Sequence, residues 1–167
     1  MQHLNWLIIL STGLIPLVVG SVWYNPKVFG TVWMKASGMT VEKAQNGNMP
    51  VIFGVTLLLG VMLASMIPSI VIHQTHYYSI FMNDPGMMDA NSEISKSIQA
   101  FMDVNGSNFR TFKHGTLHGT LAALFFAMPV IGIFGLFEGK GRNYIFVHTG
   151  YWIVTLALMG GLVCAFA

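Results

Sequence analysis

The apolar residues of this chain fall into four long blocks separated by polar stretches. Residues 4–24, 50–73, 112–137 and 144–166 contain almost no charge. About 20 such residues suffice for an α-helix to cross the ~30 Å hydrocarbon core of a membrane. The pattern therefore predicts an all-α, polytopic membrane protein, a bundle of four transmembrane helices that forms one domain over residues 1–167.

Two of the polar connections also carry apolar residues at helical spacing, which predicts two short amphipathic helices on the membrane surface. The first begins at Pro26 and ends near Gly38, with one further turn capped by Thr40. The second lies within residues 83–108. The residues that form the two apolar faces are Val28, Phe29, Val32 and Trp33 in the first helix and Ile94, Ile98, Phe101 and Met102 in the second.

Composition supports a membrane protein and narrows its partners. The chain is 54% hydrophobic and only 8% charged, whereas soluble domains carry about 25% charged residues. A chain with so few charged residues cannot form a water-exposed surface. Membrane lipid is therefore its expected partner. The formal charge of +2 is dispersed, which argues against nucleic acid as a partner. A single cysteine, Cys164, excludes an internal disulfide.

The third block carries a stripe of small residues. Gly115, Gly119, Ala123 and Ala127 recur every four positions, so they lie along one face of a helix and allow another helix to approach closely. The stripe indicates a packing role, either in a homo-oligomer or in a larger membrane complex. A non-catalytic packing or assembly component is the leading interpretation.

Histidines suggest an alternative function. His114 and His118 are four residues apart at the start of the third span. In a four-span topology, His3, His73 and His76 lie on the same side of the membrane, and His148 lies on the other. Clustered imidazoles bind Zn, Cu or Fe. The candidate metal ligands are His114, His118, His73 and His76.

The function that these histidines suggest is that of a metal- or haem-binding redox module, whose cofactor the sequence does not identify. The spans contain no Asp or Glu to complete a coordination shell. Interfacial histidines that bond to backbone, headgroups or each other are the competing interpretation. The spans also hold no carboxylate for coupled transport and no nucleophile with an acidic companion. These features favour a protein that is not an enzyme.

An aromatic motif follows the first span. Its fixed positions are Trp23, Tyr24, Pro26, Phe29, Gly30 and Trp33. The segment resembles the Trp-Tyr-x-Pro-x-x-Phe-Gly-x-x-Trp signature of a bacterial membrane family known as domain of unknown function 1761. The resemblance implies a small four-span protein over nearly the whole chain. It implies no reaction, cofactor or catalytic residue.

The motif also has a physical interpretation of its own. Pro26 ends the first helix, Gly30 permits close backbone approach, and aromatic rings suit the headgroup region. The motif is then an interfacial elbow. Alternatively, Tyr24 and Trp33 line a pocket for a lipid or another small hydrophobe, such as a quinone headgroup.

Basic residues in the connections indicate the orientation. The first and third connections lie on one side and hold more Lys and Arg than the second, which favours a cytoplasmic location for them and places both termini outside. Together with the family resemblance, this predicts a multi-pass protein of the bacterial inner membrane. The basic residues are Lys27, Lys35, Lys43, Lys140 and Arg142 on the first side and Lys96, Arg110 and Lys113 on the second.

Overall fold

A computed structural model of the protein describes residues 4–167 and shows only helices, turns and loops over that range. Four helices are long and apolar enough to cross a membrane, which confirms the all-α, four-span prediction. In chain order the helices are α1 (Trp6–Trp23), α2 (Thr31–Ser37), α3 (Val41–Gln45), α4 (Met49–Val71), α5 (Gln74–Ile80), α6 (Glu93–Asn105), α7 (Phe112–Phe137) and α8 (Arg142–Phe166).

The short helices lie where the amphipathic patterns predict them. A π-helical turn, Pro26–Gly30, leads into α2, which carries Trp33 at the end of the aromatic motif. Helix α3 follows, and Gly38 between the two helices has a left-handed φ of 74°. The Thr40 side chain caps α3 by accepting a hydrogen bond of 3.2 Å from the Lys43 N–H. Helix α6 forms in the long second connection, and the Ser92 side chain caps it.

Prolines shape three of the spans, because each proline lacks the N–H that an α-helical turn requires. A short 3₁₀ turn, Thr12–Leu14, precedes Pro16 in α1. A wide π-helical turn, Ala123–Ala127, precedes Pro129 in α7. Helix α4 ends three residues after Pro68, at Val71.

Helix α8 is the hub of the bundle. It contacts α1, α4 and α7, and ten of its residues are buried. Thr155, Met159, Val163 and Cys164 of α8 are inaccessible to solvent. Met159, Val163 and Cys164 pack with apolar side chains of α1 and α4, such as Ile9 and Ile67, in one continuous core.

The predicted small-residue stripe faces α8. Gly115 lies back to back with Gly160, and Gly119 lies against the carbonyl of Leu156; a Cβ atom on either stripe glycine would collide with the α8 backbone. Ala123 is fully buried and Ala127 is half-buried. The stripe is therefore covered within the molecule, by a partner glycine that the sequence pattern of α8 did not single out.

The alternating spans give the bundle two ends. The histidine end holds the start of α1, the end of α4, the start of α7 and the end of α8; there the Asn5 N–H donates to the Ala167 carbonyl at 3.4 Å. The motif end holds Trp23, Met49, Phe137 and Arg142. Helices α5 and α6 lie at the histidine end, and α2 and α3 lie at the motif end.

Candidate functional site

Three histidines meet at the histidine end because the chain breaks there twice. Helix α4 stops after Val71, Ile72 adopts an extended conformation, and His73 starts the next turn. Helix α7 begins beside it, where the Thr111 side chain accepts a hydrogen bond of 3.2 Å from the His114 N–H. His73 therefore projects toward the first two turns of α7.

The ligand atoms of His73, His114 and His118 all lie within 4.8 Å of one another. The Nε2 atoms of His73 and His114 share a hydrogen bond of 2.9 Å. The centroids of His114 and His118 are 4.4 Å apart, and each lies 4.9–5.0 Å from that of His73. Because a macrocycle would have to fit between rings this close, the cluster suits a bare ion better than a haem.

The other predicted ligand and the remaining histidines lie elsewhere. His76 is exposed on α5 and does not belong to the cluster. His3 lies outside the described residues. His148 is at the motif end, where its Nδ1 atom is 2.8 Å from the Tyr24 hydroxyl.

Phe109 packs against two of the histidines, and no sequence pattern identified it. Its ring centroid is 5.2 Å from that of His114 and 6.1 Å from that of His73. Its φ of 61° is the only positive value for a non-glycine residue within residues 4–167. Bulky side chains rarely adopt this conformation, and such strain is concentrated at functional sites.

Hydrogen bonds also hold the backbone of the left-handed turn at Phe109, next to the histidines. The Phe109 carbonyl accepts hydrogen bonds from the Thr111 N–H at 2.8 Å and from the Cys164 thiol at 3.3 Å. The Arg110 guanidinium donates from Nε to the Cys164 carbonyl at 2.9 Å. The segment between α6 and α7 is thereby attached to the end of α8.

Gln74 holds the second connection against the same site. Its Nε2 atom donates to the carbonyls of Asn105 and Asn108 at 2.8 and 2.9 Å. A cavity of about 240 Å³ lies between these groups and His73, with Tyr77 in its wall. The histidine cluster thus adjoins a small, largely apolar space below α6.

The aromatic motif forms a second constellation, at the motif end. Trp23 donates from Nε1 to the Val147 carbonyl at 3.0 Å, and its ring covers Gly150. Gly30 packs so closely on the backbone of Tyr24 and Asn25 that a Cβ atom would collide with it. These contacts fasten the end of α1 to α8.

The rings of the motif pack on one another and on α8. Phe29 lies 4.4 Å from Trp23, and Trp33 lies 5.3 Å from Tyr24, between ring centroids. Burial, with the nearby phenols of Tyr151 and Tyr144, raises the pKa of Tyr24 well above its usual range. The Tyr24 phenol can donate to Nδ1 of His148 when that nitrogen carries no proton.

The chain matches the family described as "Protein of unknown function (DUF1761)" over residues 7–164. It belongs to that family. No curated protein and no solved structure shows significant similarity to this DUF1761 chain.

Neutral imidazoles are good ligands for Zn, Cu, Fe and Ni ions. A tetrahedral zinc ion with Zn–N bonds of 2.0–2.1 Å needs ligand nitrogens about 3.3 Å apart. Small ring rotations in this DUF1761 protein would convert the observed spacing, within 4.8 Å, to that value. Three protein ligands would leave a fourth position open to water or another ligand.

Proposed function

We propose that this membrane protein binds a divalent transition-metal ion at its histidine end, through His73, His114 and His118. The observation that carries the proposal is the convergence of three imidazoles from two different helices within 4.8 Å. The strained Phe109 beside them supports it. Zinc and copper are the ions that best suit three nitrogen ligands.

The packing hypothesis now has less support, since the stripe that motivated it is covered by α8. The same is true of a hydrophobe pocket between Tyr24 and Trp33, because these two rings pack against each other. A homo-oligomer or larger complex would need another surface.

The test is metal binding by the protein purified in detergent, stripped of metal and dialysed against Zn²⁺ or Cu²⁺. Elemental analysis should find one ion per chain. His118→Ala should weaken binding by more than the roughly tenfold that losing even an outer-shell partner costs. His76→Ala is the matched control, since it removes an exposed histidine of α5 that lies outside the cluster.

Two results would contradict the proposal. One is a parent protein that takes up neither ion at micromolar concentration. The other is an equal loss of binding in the His76→Ala and His118→Ala variants, because binding would then not depend on the cluster.

For the location, we propose a multi-pass protein of the bacterial inner membrane with its motif end in the cytoplasm. The support is the excess of Lys and Arg at that end, five against three, which the positive-inside rule assigns to the cytoplasm.

A further inference from the structure

A cleft of about 800 Å³ opens at the motif end, between α2 and the first turn of α8. Helix α2 carries Trp33, the last residue of the aromatic motif, and Trp and Tyr rings favour the depth of the lipid headgroups. The residues that line it are Thr31, Val32, Lys35 and Ala36 from α2, with Gly141, Arg142 and Asn143 from the start of α8.

Two cationic side chains in this cleft have no acidic partner. Lys35 and Arg142 line opposite walls and are exposed. The only ion pair within residues 4–167 joins Lys96 to Glu93 at the other end of the bundle. An anion that entered the cleft would therefore meet two unpaired cations.

A specific contact holds the two walls together. The Lys140 ammonium donates to the Ser37 carbonyl at 3.0 Å and thereby joins the loop before α8 to the end of α2. No side chain caps the N-terminus of α8, whose free N–H groups add positive partial charge. A hydrogen bond and a helix N-terminus thus both belong to the structure around the cleft.

The motif end is more positively charged than the histidine end, which favours binding of an anion in the cleft. The connections at the motif end carry five basic and two acidic residues, for a net charge of +3; the second connection carries three basic and four acidic residues, for −1. Neither acidic residue of the motif end, Glu42 or Glu138, lines the cleft. Anionic lipid headgroups are attracted to such a surface.

We propose that this cleft binds the headgroup of an anionic phospholipid. Lys35 and Arg142 contact the phosphate oxygens, since Arg recognises phosphate through paired hydrogen bonds and Lys as a point charge. Asn143 offers hydrogen bonds to the glycerol part, and the Thr31 hydroxyl, which donates to the Pro26 carbonyl at 2.9 Å, can accept one. Val32 and Ala36 provide an apolar wall for the start of an acyl chain. The inference is independent of the proposed metal site.

The test is native mass spectrometry of detergent-solubilised protein titrated with phosphatidylglycerol or phosphatidylcholine of the same acyl chains. The parent should retain one phosphatidylglycerol in preference to phosphatidylcholine. The Lys35→Gln/Arg142→Gln variant should bind phosphatidylglycerol about tenfold more weakly or worse, the effect of losing at least one charge-assisted hydrogen bond.

The matched control is Lys96→Gln/Lys113→Gln, which removes the same charge from two exposed lysines at the histidine end. It should keep the parent's preference for phosphatidylglycerol. Equal losses in the two variants would overturn the site, because attraction would then be a property of the whole surface. Release of the lipid by an equal concentration of inorganic phosphate would overturn the lipid assignment, because the acyl chains would contribute nothing.

Discussion

Phe109 has a backbone conformation that its side chain disfavours, and its ring lies on the histidine cluster. A left-handed conformation costs a non-glycine residue about 1–2 kcal/mol. The carbonyl of Phe109 nevertheless receives two hydrogen bonds, one of them from the buried Cys164 thiol. The surrounding contacts therefore hold the strained turn and keep the ring against His73 and His114.

Comparison of Phe109→Gly with Phe109→Ala measures this strain. Both variants lose the ring, but only glycine adopts the φ of 61° without steric cost. We expect the glycine variant to be the more stable of the two by about 1 kcal/mol. Thermal unfolding in detergent checks this difference, and an alanine variant of equal or greater stability would contradict a strained turn.

Some residues of the candidate metal site were predictable from the sequence. His114 and His118 follow from helical spacing, and His73 follows from counting four spans. His76 was predicted as a metal ligand because it is near His73 in sequence. Helix α5, which carries His76, packs on α6. One turn along α5 therefore leads away from the histidines of α7. No sequence pattern identified Phe109, because the conformation of a single loop residue depends on tertiary contacts.

Among the elements, α7 and α8 make the most extensive helix contact. Their contact depends on glycines that let the two backbones touch, which is how many membrane helices associate. Gly119 lies against Leu156 of α8, whereas Gly132 of the same helix has nothing within 4 Å of the Cβ position. The two glycines thus offer a matched comparison.

Gly119→Ala should destabilise the protein by about 1–3 kcal/mol, because the added methyl group overpacks the helix contact. Gly132→Ala should be neutral or stabilise it by about 0.5–1 kcal/mol, because alanine is the better helix former. Unfolding of the two variants in SDS-containing micelles measures both effects. A Gly119→Ala variant as stable as Gly132→Ala would show that the helices can move apart at no cost.

Most of the elements were predictable because their signals are local. Long apolar blocks fix the spans, and residues such as Gly38 and Thr40 mark where surface helices end and begin. The partner of the stripe was not predictable, because Gly115 on α7 identifies a face without identifying what covers it. Only the assembled bundle shows that Gly160 of α8 covers that face.

In the whole molecule, Cys164 reports on the integrity of the core. Its side chain is fully buried, and its sulfur lies 3.3 Å from the carbonyl oxygens of both Val71 and Phe109, which share its single S–H donor. It therefore touches the end of α4 and the turn before α7 at once. Any separation of these elements would expose the thiol.

Maleimide should accordingly label Cys164 at least about 1,000-fold more slowly in the folded protein than in the denatured protein, since labelling requires opening of the core. An Ala90→Cys substitution adds an exposed thiol as an internal reference. Mass spectrometry of the two sites over time gives both rates. Equal rates at the two sites in the folded protein would contradict the packing described for α8.

The position of the hub helix in the chain has a consequence for biosynthesis. Helix α8 is the fourth span to leave the ribosome, yet it contacts each of the first three. Until it inserts, the face of α7 that carries Gly115 and Gly119 lacks the helix that covers it, whereas Gly13 of α1 and Gly60 of α4 can already meet each other. Lipid tails are the groups available to fill the open face of α7 at that stage. A protein with only three inserted spans therefore presents an unfinished core to the proteases that survey the membrane.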